Sequence, residues 1–476
     1  MSTINQTTSV SETSNWKALF KGGNGIKATA LALGVMLHAT NIYLATTVMP
    51  SIIQDIGGLA YYAWNTTLFV VASIIGSVVS ANRLAVLGPR RAYQFAIILF
   101  FLGSLLCTCA SSMYILLVGR FIQGLGGGLL FALSYAMVRI VFDKILWSRA
   151  MALISGMWGI AAFSGPFIGG LFAENNQWRW AFGTLLLICI VIFTISTLIL
   201  PLQRSKKNPP IIPYFKLTLL VSAALSVSIG SIFESIVINI LGVGIALLFL
   251  YILIVAEKKS TVRLLPTGAY NLSSPLGATY AVMTLLTIGT SIEIFVPYFA
   301  QVISGYSPLQ SGYLTVLIAF GWTFSSLLFS GIKTSSIAKI IRLGTILMLV
   351  GLVGLTWLAG TNNNPSTLFL FLNCLFLFLV GVGIGLGWPH LLTNVFAMAP
   401  EGEEELTSTS VTTVQLMATA FGASLAGLVS NMGGINEPGG IIGAQSASLL
   451  LYGVFSIAPL LGITILFKKK QINSIL

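Results

Sequence analysis

The sequence predicts an all-α polytopic membrane protein, and three observations carry that prediction. Only 8% of the residues are charged and the mean hydropathy is +0.94, whereas soluble domains carry about 25% charged residues. Apolar stretches of about 20 residues, the length a helix needs to cross a bilayer, recur from end to end. Lys and Arg fall in short clusters between those stretches, as the positive-inside rule expects. A β-barrel would instead show spans of about ten residues with alternating polarity. The formal charge of +12 would suit a nucleic-acid binder, but the basic residues gather in no single patch, so no nucleic-acid partner is expected.

Taken in order, the chain opens with a polar, Ser/Thr-rich stretch over 1–26 that includes Lys17 and Lys21, and no cleaved signal peptide is read there. Six spans follow at 27–48, 66–86, 92–111, 114–138, 151–173 and 181–201. A segment over 202–275 holds two more, at 214–233 and 237–256. The last six lie at 276–301, 311–331, 338–358, 366–392, 407–430 and 446–467, before a short tail over 468–476.

Charge tests the count of fourteen. With a cytoplasmic N-terminus, 22 of the 24 Lys and Arg fall on the cytoplasmic side, Arg179 and Arg120 being the exceptions. Twelve spans would invert half of the basic loops, so the middle pair is needed and both termini are expected in the cytoplasm. Tyr61, Tyr62, Trp64, Trp178 and Trp180 form an aromatic belt on the other side. The acidic run "EGEEE" at 401–405 reads as a solvated loop, with a salt-bridge partner in gating as the alternative. The four cysteines lie inside apolar spans and read as packing residues; no metal site is expected.

The six-two-six arrangement suggests a duplicated unit around an inserted pair. In both halves a short basic loop joins the second and third spans, and the fourth span is glycine-rich ("GLGGG", "GVGIGLG"). Such weak symmetry is typical of secondary transporters. No GxxxxGK[ST] is present, so a gradient rather than ATP is the expected energy source.

Two stretches carry specific chemistry. In "RFIQGLGGG", 120–128, Arg120 stands within a span, where a cation must be paired or wet; snorkelling to the outer interface is the alternative. The glycines let another backbone approach. In "GMWGIAAFSGPFIGG", 156–170, Pro166 removes a helical hydrogen bond, and Gly156, Gly165, Gly169 and Gly170 leave one side smooth. That helix can slide or seal against a neighbour, or simply pack.

With these stretches the chain resembles the major facilitator superfamily. The first is similar to the family's RxxQGxGgG motif at Arg120, Gln123, Gly124, Gly126 and Gly128; the second to its antiporter motif at Gly156, Gly165, Pro166, Gly169 and Gly170. "ATTVMPSIIQDIGG", "WRWAF", "GYSPLQSG" and "VQLMATAFGASLAG" resemble the fourteen-helix drug:proton antiporter subgroup. The resemblance implies a major facilitator fold: two six-helix bundles with an inserted helix pair, rocking about a central cavity. Two departures stand out. The basic loop between spans two and three keeps Gly88, Arg90 and Arg91 but has Ala85 where the family places Asp, leaving both arginines in need of another partner. The first span has Asn41 at the family's Asp position.

His38 shares a helical face with Gly34, Asn41 and Ala45, a small polar stripe that could line a cavity. An imidazole titrates near neutral pH, so His38 and His390 are proton-carrier candidates; a structural, hydrogen-bonded histidine is the alternative for each. Trp388 could stack on an aromatic or cationic substrate or serve in packing. Of the twelve acids, ten lie in loops or at boundaries and Glu234 at the outer end of the seventh span. Glu293, in "GTSIEIFVPYFAQ", is the one left deep in a six-helix half. It reads as a proton or cationic-substrate site, with a structural partner role as the alternative.

The expected function is proton-coupled export of small amphipathic or cationic compounds by alternating access, in a bacterial inner membrane. Glu293 would carry the proton with His38 or His390, Arg120 would couple protonation to helix movement, and Asn41, Gln123 and Trp388 would join it around the cavity. The rivals are a dedicated transporter of one metabolite, such as a siderophore, and a sensor that no longer transports. An enzyme is not expected, since no nucleophile–base set appears. The expected partners are substrate, protons and lipid, with a periplasmic adaptor as a candidate; no cofactor is expected, and a monomer is the expected state.

Overall fold

A backbone in lipid must satisfy its polar groups internally, which favours helices for a chain this apolar. A computed structural model of the chain describes residues 16–467 except 22, 203–208, 234, 261 and 362–365. Glu12, Glu234, Arg204, Lys206, Lys207 and the lysines at 468–470 lie outside the described residues. Among those described, thirteen helices are long and apolar enough to cross a membrane.

After a short helix α1 (Trp16–Phe20) come α2 (Asn24–Ile56), α3 (Trp64–Thr108), α4 (Met113–Val141), α5 (Trp147–Glu174) and α6 (Trp178–Ile199). α7 (Tyr214–Ser231) and α8 (Ile236–Lys259) form the middle pair. The rest comprises α9 (Pro275–Thr290), α10 (Val296–Ser304), α11 (Pro308–Phe329), α12 (Ile337–Gly360), α13 (Thr367–Ala397), α14 (Glu404–Met432), α15 (Gly440–Phe455) and α16 (Ile457–Phe467). Helices α2–α6 pack together, as do α9–α16.

The count of thirteen differs from fourteen at α3, where the second and third expected spans are continuous in chain direction. Its 45 residues would run about 68 Å at 1.5 Å per residue, twice the hydrocarbon thickness. Gly88 breaks it with φ 74° and ψ 169°, a conformation only glycine adopts freely, and Pro89 follows. The chain reverses there. Phe69 and Ser73 lie against Gly124 and Gly128, in parallel order, whereas Gly103 and Phe100 lie against Gln123 and Gly126, in antiparallel order. Both arms therefore flank α4, whose glycines permit the approach: a β-carbon at Gly128 would sit 2.0 Å from the Ser73 carbonyl oxygen.

Prolines break two further spans. Pro297 has no N–H to give the carbonyl of Glu293, four residues earlier, and its ring crowds that carbonyl; α9 accordingly gives way to a 3₁₀ turn over Ser291–Ile294 before α10 starts. Pro459 stands in the same relation to Phe455, where α15 ends.

One end of the molecule carries Arg83, Arg90, Arg139 and Lys333, and is called the basic face; the aromatic belt marks the opposite face. Gly156, Gly159, Pro166 and Gly170 share one side of α5. Near the opposite face Pro166 and Gly170 touch Gly312 and Leu309 of α11, but toward the basic face Gly156 and Gly159 meet nothing within 4 Å. The two bundles thus touch at the opposite face and part toward the basic one.

The linker is more ordered than a solvated connection. Glu257, expected in a boundary, is buried and pairs with Lys216 at 2.5 Å while accepting from the backbone N–H groups of Leu264 and Leu265. Glu403 of the acidic run pairs with Arg263 at 3.1 Å and accepts from the Thr267 backbone N–H at 2.6 Å. Of the two readings of that run, a salt-bridge partner describes Glu403.

Candidate functional site

Glu293 lies in the break between α9 and α10 that Pro297 imposes. Its side chain is half-buried and, among the described residues, makes no hydrogen bond or ion pair. The helix that follows Glu293, α10, packs against α2 of the other bundle. Two residues nearer the opposite face an aromatic plug begins: Tyr62 stacks on Phe295 at 4.7 Å between ring centroids and packs on Tyr298 at 5.5 Å. Phe299 continues the plug to Tyr452. Tyr62 comes from the first bundle and Phe295 from the second, so the plug closes the seam between them, and Glu293 lies two residues from it toward the basic face.

Arg120 belongs to a separate, enclosed network. It is 1% exposed. Its Nη1 donates to Asn41 Oδ1 at 3.0 Å and to Gln123 Oε1 at 2.6 Å, and its Nε donates to the Asn65 carbonyl at 3.2 Å. Gln123 donates onward to Ser104 at 2.8 Å. The guanidinium also lies 4.3 Å over the Phe69 ring. These contacts join α2 to both arms of α3 through α4. All the acceptors are uncharged; no described carboxylate pairs with Arg120. Asn41, Arg120 and Gln123 are therefore buried within the first bundle in this conformation and do not line the open space, and Arg120 does not snorkel.

The stripe of Gly34, His38, Asn41 and Ala45 is likewise turned inward. Gly34 abuts Tyr93 and Ser134. His38 sits between Phe69 (5.3 Å) and Phe131 (5.2 Å), with both ring nitrogens unpartnered. The opposite side of α2, with Leu33, Met36 and Tyr43, is the less buried one. His390 bonds the Phe329 carbonyl at 2.9 Å, at the basic end of α11. From the helical rise that is about 15 Å from the level of Glu293 along the bundle. Trp388 is buried edge-on against Trp322 at 5.3 Å. The structure thus separates Glu293 from the two histidines.

The motif on α5 is divided in use. A β-carbon at Gly165 would lie 2.6 Å from Tyr43 Cβ, one at Gly169 3.0 Å from the Leu44 carbonyl, and one at Gly170 2.6 Å from Leu309 Cα. In the basic loop, Arg90 Nε donates to the Leu200 carbonyl at 2.7 Å, at the end of α6; a carbonyl replaces the missing aspartate as its partner. Arg91 is exposed.

Several residues of consequence escaped the sequence reading. Tyr62 had been placed in the aromatic belt, but 2% exposure puts it inside the plug. Tyr43 carries no signal beyond its helical phase. The spacing Glu293–Pro297 is the sequence feature that could have located the site.

A family model described as the Major Facilitator Superfamily matches residues 31–427. A relative from Mycobacterium tuberculosis named "Probable multidrug-efflux transporter" is 32% identical over 465 residues, covering 95% of this chain and 96% of its own length. Multidrug resistance protein 3 of Bacillus subtilis is 24% identical over 72% of this chain and 67% of its own. Among solved structures, a peptide transporter POT in complex with sulfate superposes with a TM-score of 0.67 at 15% identity, over 92% of this chain and 94% of that one. A D-xylose-proton symporter superposes at 0.61 with 13% identity, over 94% and 98%. At these identities the structural likeness speaks for the fold alone.

Proposed function

The chain belongs to the Major Facilitator Superfamily and is a multi-pass membrane transporter of small molecules, and from that premise we propose that it exports small amphipathic or cationic compounds in exchange for protons. The multidrug-efflux names of its relatives support export. In this reading the chain crosses the inner membrane fourteen times, α3 twice, with the basic face and both termini in the cytoplasm. Residues 27–201 and 276–467 are the rocking units, 202–275 is the linker, and the protein acts as a monomer. The conformation described is then the inward-facing one, and the α5–α11 contact and aromatic plug form its outer gate.

The observation that carries the proposal is the Glu293 carboxyl, unpaired among the described residues, beside the plug between the two bundles. There it can hold either a proton or a cationic substrate, and competition between the two couples export to proton entry. Arg120 has a positioning role in this reading: its bonds fix α2 against α4, so movement of α2 at Tyr43 is passed to the bundle as a unit. The test is transport in proteoliposomes driven by a pH gradient. The Glu293→Gln variant is expected to lose gradient-driven export while still exchanging neutral substrates; gradient-driven export at the wild-type rate would remove Glu293 from the mechanism.

A further inference from the structure

The inserted pair α7–α8 does not stand apart in the lipid but is seated in the seam between the two bundles. The first bundle holds α7 from α3: Trp64 Nε1 donates to the Ser228 carbonyl at 3.1 Å, and at the basic end Asn82 Nδ2 donates to the Pro210 carbonyl at 2.9 Å. The second bundle holds α7 from α14: Ser228 Oγ donates to Ser424 Oγ at 2.9 Å, Ser424 Oγ reaches the Ala224 carbonyl at 3.1 Å, and Asn431 Nδ2 donates to the Ser231 carbonyl at 2.7 Å. An apolar patch of Ala223 and Val227 on α7, Ala246 on α8 and Leu428 on α14 backs these bonds. All the α14 contacts fall in the last two turns of α7, at the opposite face. Ser228 therefore bridges the bundles through the inserted pair, accepting from α3 through its carbonyl and bonding α14 through its hydroxyl, beside a direct bond from Asn431 Nδ2 to the Ala60 carbonyl of the first bundle at 3.3 Å.

We propose that the α7–α8 pair is a clasp that holds the opposite face closed, with Ser228 as its joining residue, so that the pair sets how often the transporter opens to that side. Opening there must separate α3 from α14, which meet directly at Ala63 and Gly427. One of the two Ser228 bonds must then break, and Ser228 and Ser424 are both buried while the face is closed. The basic face is strapped differently. There the first bundle holds the linker at Pro210, and the second holds it at Arg263 and Thr267 through Glu403. The two ties lie at opposite ends of the linker, so the bundles can part at the basic face with the clasp intact, as they do here.

The inference rests on alternating access, and the experiment separates the two. Spin labels at Ser111→Cys on the first bundle and Ile442→Cys on the second, both exposed at the opposite face, report its opening by pulsed dipolar distance measurement in nanodiscs, with Cys109 and Cys374 changed to Ser. Trp64→Phe removes the indole N–H and keeps the ring; Ser424→Ala removes the α14 hydroxyl. Each is expected to raise the ratio of long- to short-distance populations about fivefold, as loss of one bond worth about 1 kcal/mol implies. Tyr93→Phe, which removes hydrogen bonds inside the first bundle, is the control for lost stability alone and should leave the ratio unchanged. A wild type with two populations whose ratio neither clasp variant moves would overturn the clasp and leave alternating access standing. A long distance that no variant ever populates would overturn both.

Discussion

The buried ion pair of the linker gives the most quantitative prediction. Lys216 and Glu257 lie 2.5 Å apart with side chains 6% and 2% exposed. Glu257 also accepts from Leu264 and Leu265, and Lys216 donates to the Val262 carbonyl. Glu257→Gln leaves a buried ammonium with neutral carbonyl acceptors and no counter-charge; removing one partner of such a pair costs about 3–5 kcal/mol. Lys216→Met should cost less, about 2–3 kcal/mol, because the carboxylate keeps two backbone N–H donors, each worth about 1–1.5 kcal/mol. In the double variant Lys216→Met/Glu257→Gln no unpaired charge remains, so the loss should fall short of the sum by about 2 kcal/mol or more, a coupling typical of contacting residues. Reversible unfolding in mixed micelles, run as a double-mutant cycle, measures it. Strict additivity, or single variants within about 0.5 kcal/mol of wild type, would refute the claim that this pair anchors the linker.

The remaining predictions concern packing, the Arg120 network and the basic-face tie. Gly128→Ala places a β-carbon against the Ser73 backbone and should destabilise by about 3 kcal/mol or prevent folding, whereas Gly156→Ala meets nothing and should fall within about 1 kcal/mol of wild type, on the stabilising side; unfolding midpoints compare them. Asn41→Asp sets a carboxylate against the Arg120 guanidinium and should raise stability by about 1–2 kcal/mol; a lower midpoint would mean that the charge of Arg120 is already balanced. The backbone N–H of Thr267, then its hydroxyl and Arg263, hold the Glu403 carboxyl below its ordinary range. The tie is therefore fully present above the unfolded carboxylate value and lost as pH falls through the lower folded one. The protection factor of the Thr267 amide, which corrects for the intrinsic pH dependence of exchange, should be unchanged from pH 7 to 5 and lower near pH 3, and insensitivity to acid would show that Glu403 does not hold this segment.

The site was partly legible in the residues. Glu293 emerged from counting acids, because a chain with so few charges cannot hide one deep in a span, whereas the helix break at Pro297 lies inside what reads as one continuous span over 276–301. The α5 motif was readable as a smooth surface, yet which of its glycines touch a neighbour is set by where α11 and α2 pack against it. Where the two histidines lie relative to Glu293 was not legible, because one-dimensional depth says nothing about azimuth: His38 turns into α3 and α4, and His390 reaches the basic end of α11.

Sequence alone determined the all-helical class, the recurrence of membrane-length spans along the chain, the polarity of the two faces and the scarcity of deep charge, since each follows from the cost of placing charge or unbonded backbone in hydrocarbon. Tertiary structure alone decided which side of each helix is inside. Lipid and protein interior are equally apolar, so hydropathy does not distinguish the face of α2 that packs around Arg120 from the face that bears Tyr43. It likewise decided that Ser228, an ordinary serine in an inserted helix, bonds to both bundles.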